Sequence, residues 1–304
     1  TIASKGNASN YDSLSYAIGA NIGLGISGEM PEMKFDWETL INSAEEALLK
    51  EANDETAHQE AIAVLQEFFS EQRPHRMTDY IGEQMLKDST KQPDFTQFDI
   101  FNSEEERTKV SKAYGCDLGT NMRTSRLPLQ TYWFKKAMND AIAGEATMTM
   151  EESQAYIQNY FMTVLPARNA ESSKEWLAEV EKKSGVQKTE SGLLYQIVRE
   201  GNLEKRATLD TDQVRVMYEG KTRQGKVFDS SYERGDTAKF ALNQVIKGWT
   251  EGMKLVGEGG EIKLWIPANL AYGARGTRDG AIGPNNAISF TVEVVEVIPT
   301  PAEK

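Results

Sequence analysis

Three side chains that could take part in catalysis lie next to one another in KVFDSSYERG, residues 226–235. The carboxylate of Asp229 precedes the hydroxyls of Ser230 and Ser231, and a hydrolase could use such a pair if a base activated a serine. A Ser-His-Asp arrangement needs a nearby histidine, but the chain has only two, both far upstream of this stretch. A hydrolase that uses Asp229 with Ser230 is therefore the weakest hypothesis for this stretch.

The composition excludes several other kinds of site. A formal net charge of -12 argues against a nucleic-acid partner, since phosphate binding needs clustered Lys and Arg. The single cysteine, Cys116, excludes an internal disulfide framework and a multi-cysteine zinc site. The stretch DTD at 210–212 lacks the Gly and the downstream Glu of a calcium loop. We therefore expect neither a metal nor a cofactor.

The chain changes character near Gly185, since 15 of its 24 glycines lie from this position onward. Upstream, WETLINSAEEALLK and TAHQEAIAVLQEFFSEQ have the apolar spacing of helices. Downstream, QVRVMYEG and AISFTVEVVEVI alternate as strands do, and VIKGWTEGMKLV has one helical apolar stripe. This segregation predicts an α+β protein with a helical amino-terminal region.

The helical region contains an internal repeat. SYAIGANIG at 15–23 parallels SKAYGCDLG at 111–119, and at the same offset of 96 Trp37 would correspond to Trp133. Further on, EFF at 67–69 parallels NYF at 159–161 at an offset of 92. The repeated Gly-x3-Gly predicts helices whose backbones approach closely. Duplication explains these identities better than chance similarity between amphipathic helices.

Two segments follow the copies as connectors. DSTKQPDFTQFDIFNSEEE reads as a linker, and Pro166 should end or kink a helix after the second copy. NAESSKEWLAEVEKKSG resumes as a helix that is polar on most faces, which favours a solvated connection that Gly185 ends. We therefore predict a first repeat over 1–90, a linker and second repeat over 91–168, a connecting helix over 169–185 and a strand-rich domain over 186–304.

Three stretches of the strand-rich part carry a family resemblance, namely VRVMYEGKTRQGKVFDSSYERG, FALNQVIKGWTEGMKLVGEGGEIKLWIPANLAYGARG and AIGPNNAISFTVEVVEV. In this order they resemble an FKBP-type peptidyl-prolyl cis-trans isomerase domain. The lead-in KTESGLLYQIV and the helical repeats resemble the macrophage-infectivity-potentiator and periplasmic FKBP chaperone group, whose members usually carry one helical unit. The resemblance implies an antiparallel half-barrel wrapped around a short helix, with an apolar pocket between them.

The resemblance also implies a set of site residues. Catalytic positions would be Asp229, Tyr272, Phe228 and Trp249, with Trp249 as the floor under a proline ring. Arg234 would support Asp229 and Tyr218. The positions that would bind substrate are Tyr218, Val245, Ile246, Ile282 and Phe290. In this interpretation Ser230 and Ser231 satisfy backbone groups where the strand turns.

Such a pocket needs no proton donor, because rotation about a peptide bond opposes only amide resonance, a barrier of about 18–20 kcal/mol. We therefore expect a prolyl isomerase with chaperone activity that acts on proline-containing unfolded polypeptides. The alternative is a module that binds such segments without turnover. Ala238, Ala281 and Gly283 stand where related small proteins carry bulkier residues, so binding of rapamycin-like macrolides is less strongly implied than isomerase activity.

The resemblance implies two further properties. Helical units of this group pair with one another, so we expect the two copies to pair within one chain as a pseudo-dimer, or between chains as a homodimer. The group acts in the periplasm or at the outer membrane, sometimes through a lipid anchor, and a start at Thr1 is compatible with such processing.

Overall fold

The chain divides into two compact units, Thr1–Tyr160 and Phe161–Lys304. The structure, a computed structural model, describes residues 2–51 and 55–303. The first unit is helical, and the second combines one long helix with an antiparallel sheet. This is the predicted α+β class, with its helices and strands segregated along the chain.

The first unit is built mainly from α-helices. Its helices are α1 (Ser13–Glu29), α2 (Trp37–Leu48), α3 (Thr56–Glu67), α4 (Arg73–Lys87), α5 (Glu104–Thr124), α6 (Thr131–Ala143) and α7 (Met150–Asn159). A π-helical turn, Phe68–Gln72, joins α3 to α4, and a second, Tyr160–Val164, follows α7. Helices therefore occupy the segments that the apolar spacing predicts.

Side-chain caps set several helix starts. The Asp12 carboxylate accepts a hydrogen bond of 2.7 Å from the backbone N–H of Ser15 and begins α1. Thr149 and Glu152 cap α7 reciprocally, each side chain bonding to the backbone N–H of the other. These bonds satisfy N–H groups that have no partner inside the helix.

The two π-helical turns mark the repeat. They lie 92 residues apart, which confirms the offset that EFF and NYF suggested, and Pro74 and Pro166 follow them in the same position. A proline cannot donate to the carbonyl four residues earlier and its ring crowds that carbonyl, so the turn before it widens. The α-helix that follows begins at Leu165 and contains Pro166 in its first turn, so this proline distorts the helix without ending it.

The two copies pair by exchanging helices. The first helix of each copy packs on the second helix of the other, so α1 contacts α6 and α2 contacts α5. A Cβ atom added at Gly115 would lie 2.1 Å from the Leu40 carbonyl oxygen, and one added at Gly19 would lie 2.5 Å from that of Phe134. The repeated glycines therefore allow these close crossings, as the Gly-x3-Gly pattern predicts.

Two buried serines show the exact correspondence between the copies. Ser15 accepts a hydrogen bond of 2.8 Å from the N–H of Gln130, and Ser111 accepts one of 2.9 Å from the N–H of Asp36. The serines are 96 residues apart, but Asp36 and Gln130 are 94 apart. The predicted equivalence of Trp37 and Trp133 is therefore wrong by two residues, because the loop between the first two helices is shorter in the second copy.

The second unit begins with α8 (Leu165–Glu181) and continues into the strands and short helices of the sheet domain. These are β1 (Gln187–Lys188), β2 (Leu194–Arg199), β3 (Asn202–Arg206), β4 (Gln213–Thr222), β5 (Val227–Ser230), α9 (Ser231–Arg234), β6 (Ala238–Ala241), α10 (Lys247–Gly252), β7 (Gly257–Glu258), β8 (Glu261–Ile266) and β9 (Ile288–Ile298). The main sheet has the order β1-β2-β8-β9-β4-β5, all antiparallel, and β6 also pairs with β4.

Alternating residues of β4, β8 and β9 form the core of this unit together with α10. Val214 and Val216 of β4 and Val292 of β9 are fully buried. The α10 residue Trp249 and Met253, just beyond the helix, are buried in the same cluster. The predicted stripe thus faces the sheet, although the helix ends at Gly252, earlier than the stripe does. This is the arrangement of a sheet wrapped around a short helix.

Helix α8 is bonded to the sheet domain through two buried polar residues. Asn169 donates a hydrogen bond of 2.9 Å to the Pro284 carbonyl. Ser173 donates one of 3.1 Å to the Asn285 carbonyl and accepts one of 2.9 Å from the N–H of Ala287. The sequence predicts a boundary at Gly185 between this helix and the domain, whereas the structure groups all residues from Phe161 onward. Its polar face therefore meets backbone groups of a loop rather than solvent alone.

Candidate active site

A cavity of about 400 Å³ opens between α10 and the inner face of the sheet. Nine described residues line it: Tyr218, Asp229, Phe240, Gln244, Val245, Ile246, Trp249, Tyr272 and Phe290. They come from β4, β5, β6, α10, β9 and the loops beside them, so the folded domain brings together positions up to 72 residues apart in the sequence.

The indole of Trp249 forms the floor of the cavity and is 4% exposed. Three rings stand edge-on to it: Tyr218 at a centroid distance of 5.2 Å, Phe240 at 5.5 Å and Phe290 at 5.2 Å. The interplanar angles are 90°, 84° and 84°. Edge-to-face contacts of this kind hold aromatic rings in fixed orientations. The result is a rigid apolar box whose open side faces solvent.

Close backbone pairing brings Phe290 into this box. Gly220 of β4 lies opposite Phe290 of β9, and a Cβ atom at Gly220 would stand 2.6 Å from the ring of Phe290 and 2.7 Å from that of Phe228. Only glycine leaves room for both rings. The glycine of VMYEG is thus part of the site, although it contributes no functional group.

A network of three side chains forms the polar edge of the cavity. The Tyr218 hydroxyl donates a hydrogen bond of 2.6 Å to one Asp229 oxygen. Arg234 donates to the other Asp229 oxygen at 2.7 Å and to the Tyr218 hydroxyl at 2.9 Å. The guanidinium also lies 5.6 Å from the centroid of the Tyr218 ring. Every member binds the other two, so the network fixes the carboxylate at the rim.

The electrostatics of this edge keep both tyrosines protonated at neutral pH. Burial raises the pKa of Tyr218 above its ordinary value, and the hydrogen bond to Asp229 raises it further. Burial also raises the pKa of Tyr272, with the carboxylates of Asp229 and Asp279 adding to the effect. The hydrogen bond to Asp229 raises the pKa of Arg234 as well. The site therefore presents neutral hydroxyl donors and a permanent cation.

Two hydrogen-bond donors at the rim are left for a ligand. In the part of the chain that the structure describes, neither the backbone N–H of Ile246 nor the hydroxyl of Tyr272 has a hydrogen-bond partner. The carbonyl of Ile246 is already used, since it accepts from the N–H groups of Trp249 and Thr250 at the start of α10. The cavity thus combines an apolar floor with free donors above it.

The serines next to Asp229 have structural roles, as the sequence predicts. Ser230 caps α9 by accepting a hydrogen bond of 3.3 Å from the N–H of Glu233. Ser231 accepts one of 2.7 Å from the N–H of Tyr218 and donates one of 3.3 Å to its carbonyl. Both serines are buried and neither belongs to the cavity lining. This geometry removes the basis of the hydrolase hypothesis.

The lining includes two residues that the sequence does not predict as part of the site. Phe240 stands edge-on to Trp249, and Gln244 lies at the mouth. The sequence signal that could have identified Phe240 is the apolar-polar-apolar alternation of Ala238, Lys239 and Phe240, which is typical of a strand. Two selected residues lie elsewhere: Phe228 packs behind Phe290 at 5.5 Å, and Ile282 is 2% exposed in the adjacent core.

Two further features concern ligands and membranes. Within residues 2–51 and 55–303, no group of three or more His, Cys, Asp or Glu side chains is arranged to hold a metal ion. Among the helices that the structure describes, none is long and apolar enough to cross a membrane.

Two protein-family models match parts of this chain. Residues 204–295 match the model of the FKBP-type peptidyl-prolyl cis-trans isomerases, and residues 107–197 match that of the domain amino-terminal to such isomerases. The chain belongs to the FKBP-type peptidyl-prolyl cis-trans isomerases, and the sheet domain is its isomerase domain. The first helical copy lies outside both matched ranges.

Individual relatives extend over more of the chain. It is 40% identical over 172 residues to the isomerase FkpA of Aeromonas hydrophila, which covers 53% of this chain and 63% of that protein. It is 35% identical over 210 residues to FkpA of Escherichia coli, and the match covers 64% of this chain and 76% of that protein. The outer membrane protein MIP of Legionella longbeachae is 33% identical over 203 residues, and the match covers 63% of this chain and 86% of that protein. The crystal structure of Escherichia coli FkpA covers 66% of this chain and all of that one, with a TM-score of 0.46.

Proposed function

We propose that the cavity isomerises Xaa-Pro bonds with the proline ring on Trp249 and the walls formed by Tyr218, Phe240 and Phe290. The Ile246 N–H binds one substrate carbonyl, and the Tyr272 hydroxyl binds a second. Asp229 holds the polar edge together through its bonds to Tyr218 and Arg234. In this proposal Val245 and Gln244 line the mouth, while Phe228 and Ile282 support the walls from behind.

The chemistry that this requires is rotation without proton transfer. A planar amide is stabilised by resonance, which separates charge, and the twisted amide has lost that charge separation. A dry aromatic cavity therefore favours the twisted form over the planar form, while the two rim donors hold the flanking chain. Tyrosines with raised pKa values suit this role, because they donate hydrogen bonds without releasing protons.

The observation that carries the proposal is the edge-on aromatic box with free donors at its rim. The alternative, a module that binds proline segments without turnover, would use the same box. A protease-free assay of cis-trans exchange in an Ala-Pro peptide separates the two. We expect acceleration of an exchange that otherwise takes tens to hundreds of seconds. Saturable peptide binding with an unchanged exchange rate would favour the module.

We also propose that the helical unit holds unfolded, proline-containing clients while the isomerase domain acts on them. The support is the helical domain that the chain shares with its FkpA relatives. Suppression of client aggregation by a chain that lacks isomerase activity would separate this role from catalysis.

The name of the Legionella relative supports action in the periplasm or at the outer membrane. Rapamycin-like macrolides fit the same box, but the small residues Ala238, Ala281 and Gly283 weaken their expected binding.

We further propose that the two helical copies replace the pairing of two chains, so that the protein is a monomer with one isomerase domain. The support is the exchange of helices within one chain, which already buries the Gly-x3-Gly faces of α1 and α5. Light scattering behind size-exclusion chromatography should give a mass near 33.9 kDa. A dimer that persists at micromolar concentration would contradict this proposal.

A further inference from the structure

A second cavity, of about 340 Å³, lies in the helical unit where α2 and α3 both pack on α5. We call it the α5 cavity. Its floor carries small or apolar side chains, among them Ala113 and Cys116 of α5 and Ala61 of α3. Its volume falls within the range of about 300–1,000 Å³ that small-molecule sites occupy. The aromatic site described above belongs to the other unit.

The duplication provides an internal comparison for this cavity. The equivalent place elsewhere in the helical unit lies where α6 and α7 of the second copy pack on α1 of the first, and Tyr16 stands at the position equivalent to Lys112. Tyr16 is 2% exposed, and its hydroxyl donates to Asp140 at 2.8 Å and accepts from the N–H of Thr147 at 3.0 Å. A bonded aromatic ring of the first copy thus fills this place. The second copy has an exposed lysine, Lys112, at the equivalent position, and the α5 cavity stays open.

The charges around the α5 cavity are not balanced. Lys109, Lys112 and Arg123 line it, and within the described residues none of them forms an ion pair. The carboxylates Glu46 and Glu60 also line it, but neither lies in an ion pair with these cations. The cations therefore concentrate positive charge at one place in a chain whose net charge is -12.

One of these cations has a buried donor with nothing to bind. Within the described part of the chain, Nη1 of Arg123 is buried and has no hydrogen-bond partner. Leaving such a donor unsatisfied costs about 1–3 kcal/mol, or more for a charged group. An anion at this end of the cavity would supply the missing acceptor. The small side chains between Arg123 and Lys112 would then contact an apolar body.

We propose that the α5 cavity binds a small amphipathic carboxylate of the medium-chain fatty acid type. Its carboxylate binds Arg123, and its chain lies over Cys116 and Ala113 toward Lys112. Charge-assisted hydrogen bonds to a guanidinium favour a carboxylate head, and the apolar floor favours an alkyl tail. This inference does not depend on the isomerase site, because every residue it uses lies in the helical unit.

Isothermal titration with decanoate, kept below its micelle concentration, tests the proposal. The full chain should bind it saturably at one site. Lys112→Tyr introduces the residue found at the equivalent position of the first copy, Tyr16, and Arg123→Ser introduces the one found there at Ser27. Each should weaken binding at least about tenfold, the effect of losing one charge-assisted contact or the space for the tail. Lys174→Tyr, at an exposed lysine of α8, should leave binding unchanged.

The single thiol provides a second test that needs no variant. Cys116 lines the cavity, so saturating decanoate should slow its alkylation by iodoacetamide several-fold in the wild-type chain. Far-UV circular dichroism with thermal melting identifies any variant that fails to fold. The proposal is overturned if the wild-type chain does not bind decanoate, if both folded variants bind it normally, or if Cys116 is not protected.

Discussion

Replacing Asp229 with alanine is expected to lower kcat/KM for isomerisation of an Ala-Pro peptide about tenfold or more. Asp229 is the one acidic residue among the nine that line the cavity, and it binds both Tyr218 and Arg234. Hydrogen bonds to charged groups contribute about 1.5–3 kcal/mol, and each 1.36 kcal/mol of lost transition-state stabilisation is a factor of about ten in rate. The carboxylate is 40% exposed, which favours the lower end of this range.

Two further variants make this test specific. Asp236→Ala removes an exposed carboxylate that, among the described residues, bonds only to Thr237, and it should leave kcat/KM unchanged. Tyr272→Phe keeps the ring and removes only the rim hydroxyl, so its loss of activity reports the second substrate contact. The measurement is protease-free, and a thermal melt of each variant checks that the domain is folded. Wild-type activity in Asp229→Ala would refute the role assigned to this carboxylate.

Replacing Gly115 with alanine is expected to lower the free energy of unfolding of the helical unit by about 2 kcal/mol. The new Cβ atom would stand 2.1 Å from the Leu40 carbonyl oxygen, a backbone atom that cannot rotate away. Overpacking of this kind costs about 1–3 kcal/mol and occasionally more. The better helix propensity of alanine returns only about 1 kcal/mol. The two helices must therefore move apart, which weakens the pairing of the copies.

The same substitution at Gly82 is a matched control with the opposite sign. Gly82 lies within α4, and a Cβ atom there would meet no atom of another described part of the chain within 4 Å. Gly82→Ala should therefore stabilise the chain by up to about 1 kcal/mol through helix propensity alone. Urea unfolding followed by far-UV circular dichroism compares the two variants. If both variants were stabilised equally, close approach of α2 and α5 would not contribute to stability.

Patterns of short range predicted most of the local structure. The helical spacing at 37–48 and 56–67 and the alternation at 213–222 and 288–298 all appear as the predicted elements. These patterns succeed because the buried face of a helix or strand repeats with the period of its own backbone. The extent of the short helix was overestimated, because its apolar stripe continues through Met253 and Val256 after the helical bonds end at Gly252.

Positions that depend on contacts between distant segments were predicted less well. Trp37 and Trp133 are identical residues at the offset of 96. The hydrogen bonds that Ser15 and Ser111 accept, however, align the second helix of each copy at an offset of 94. Phe240 joins the aromatic box only because β6 pairs with β4. The polar face of α8 read as a solvated surface, yet Ser173 bonds a loop more than 100 residues away. The periodicity of apolar residues within one helix or strand does not predict which distant segment that helix or strand contacts.

By itself, the sequence determined the α+β class, the duplication and the membership of the isomerase family, because residue types and their order carry that information. It also argued against Ser230 or Ser231 as a catalytic nucleophile, since neither histidine lies near them in the sequence. Only the tertiary structure decided which helix each Gly-x3-Gly face contacts and which rings surround Trp249. A pattern specifies that a face is buried, but the partner is chosen by the packing of the whole chain.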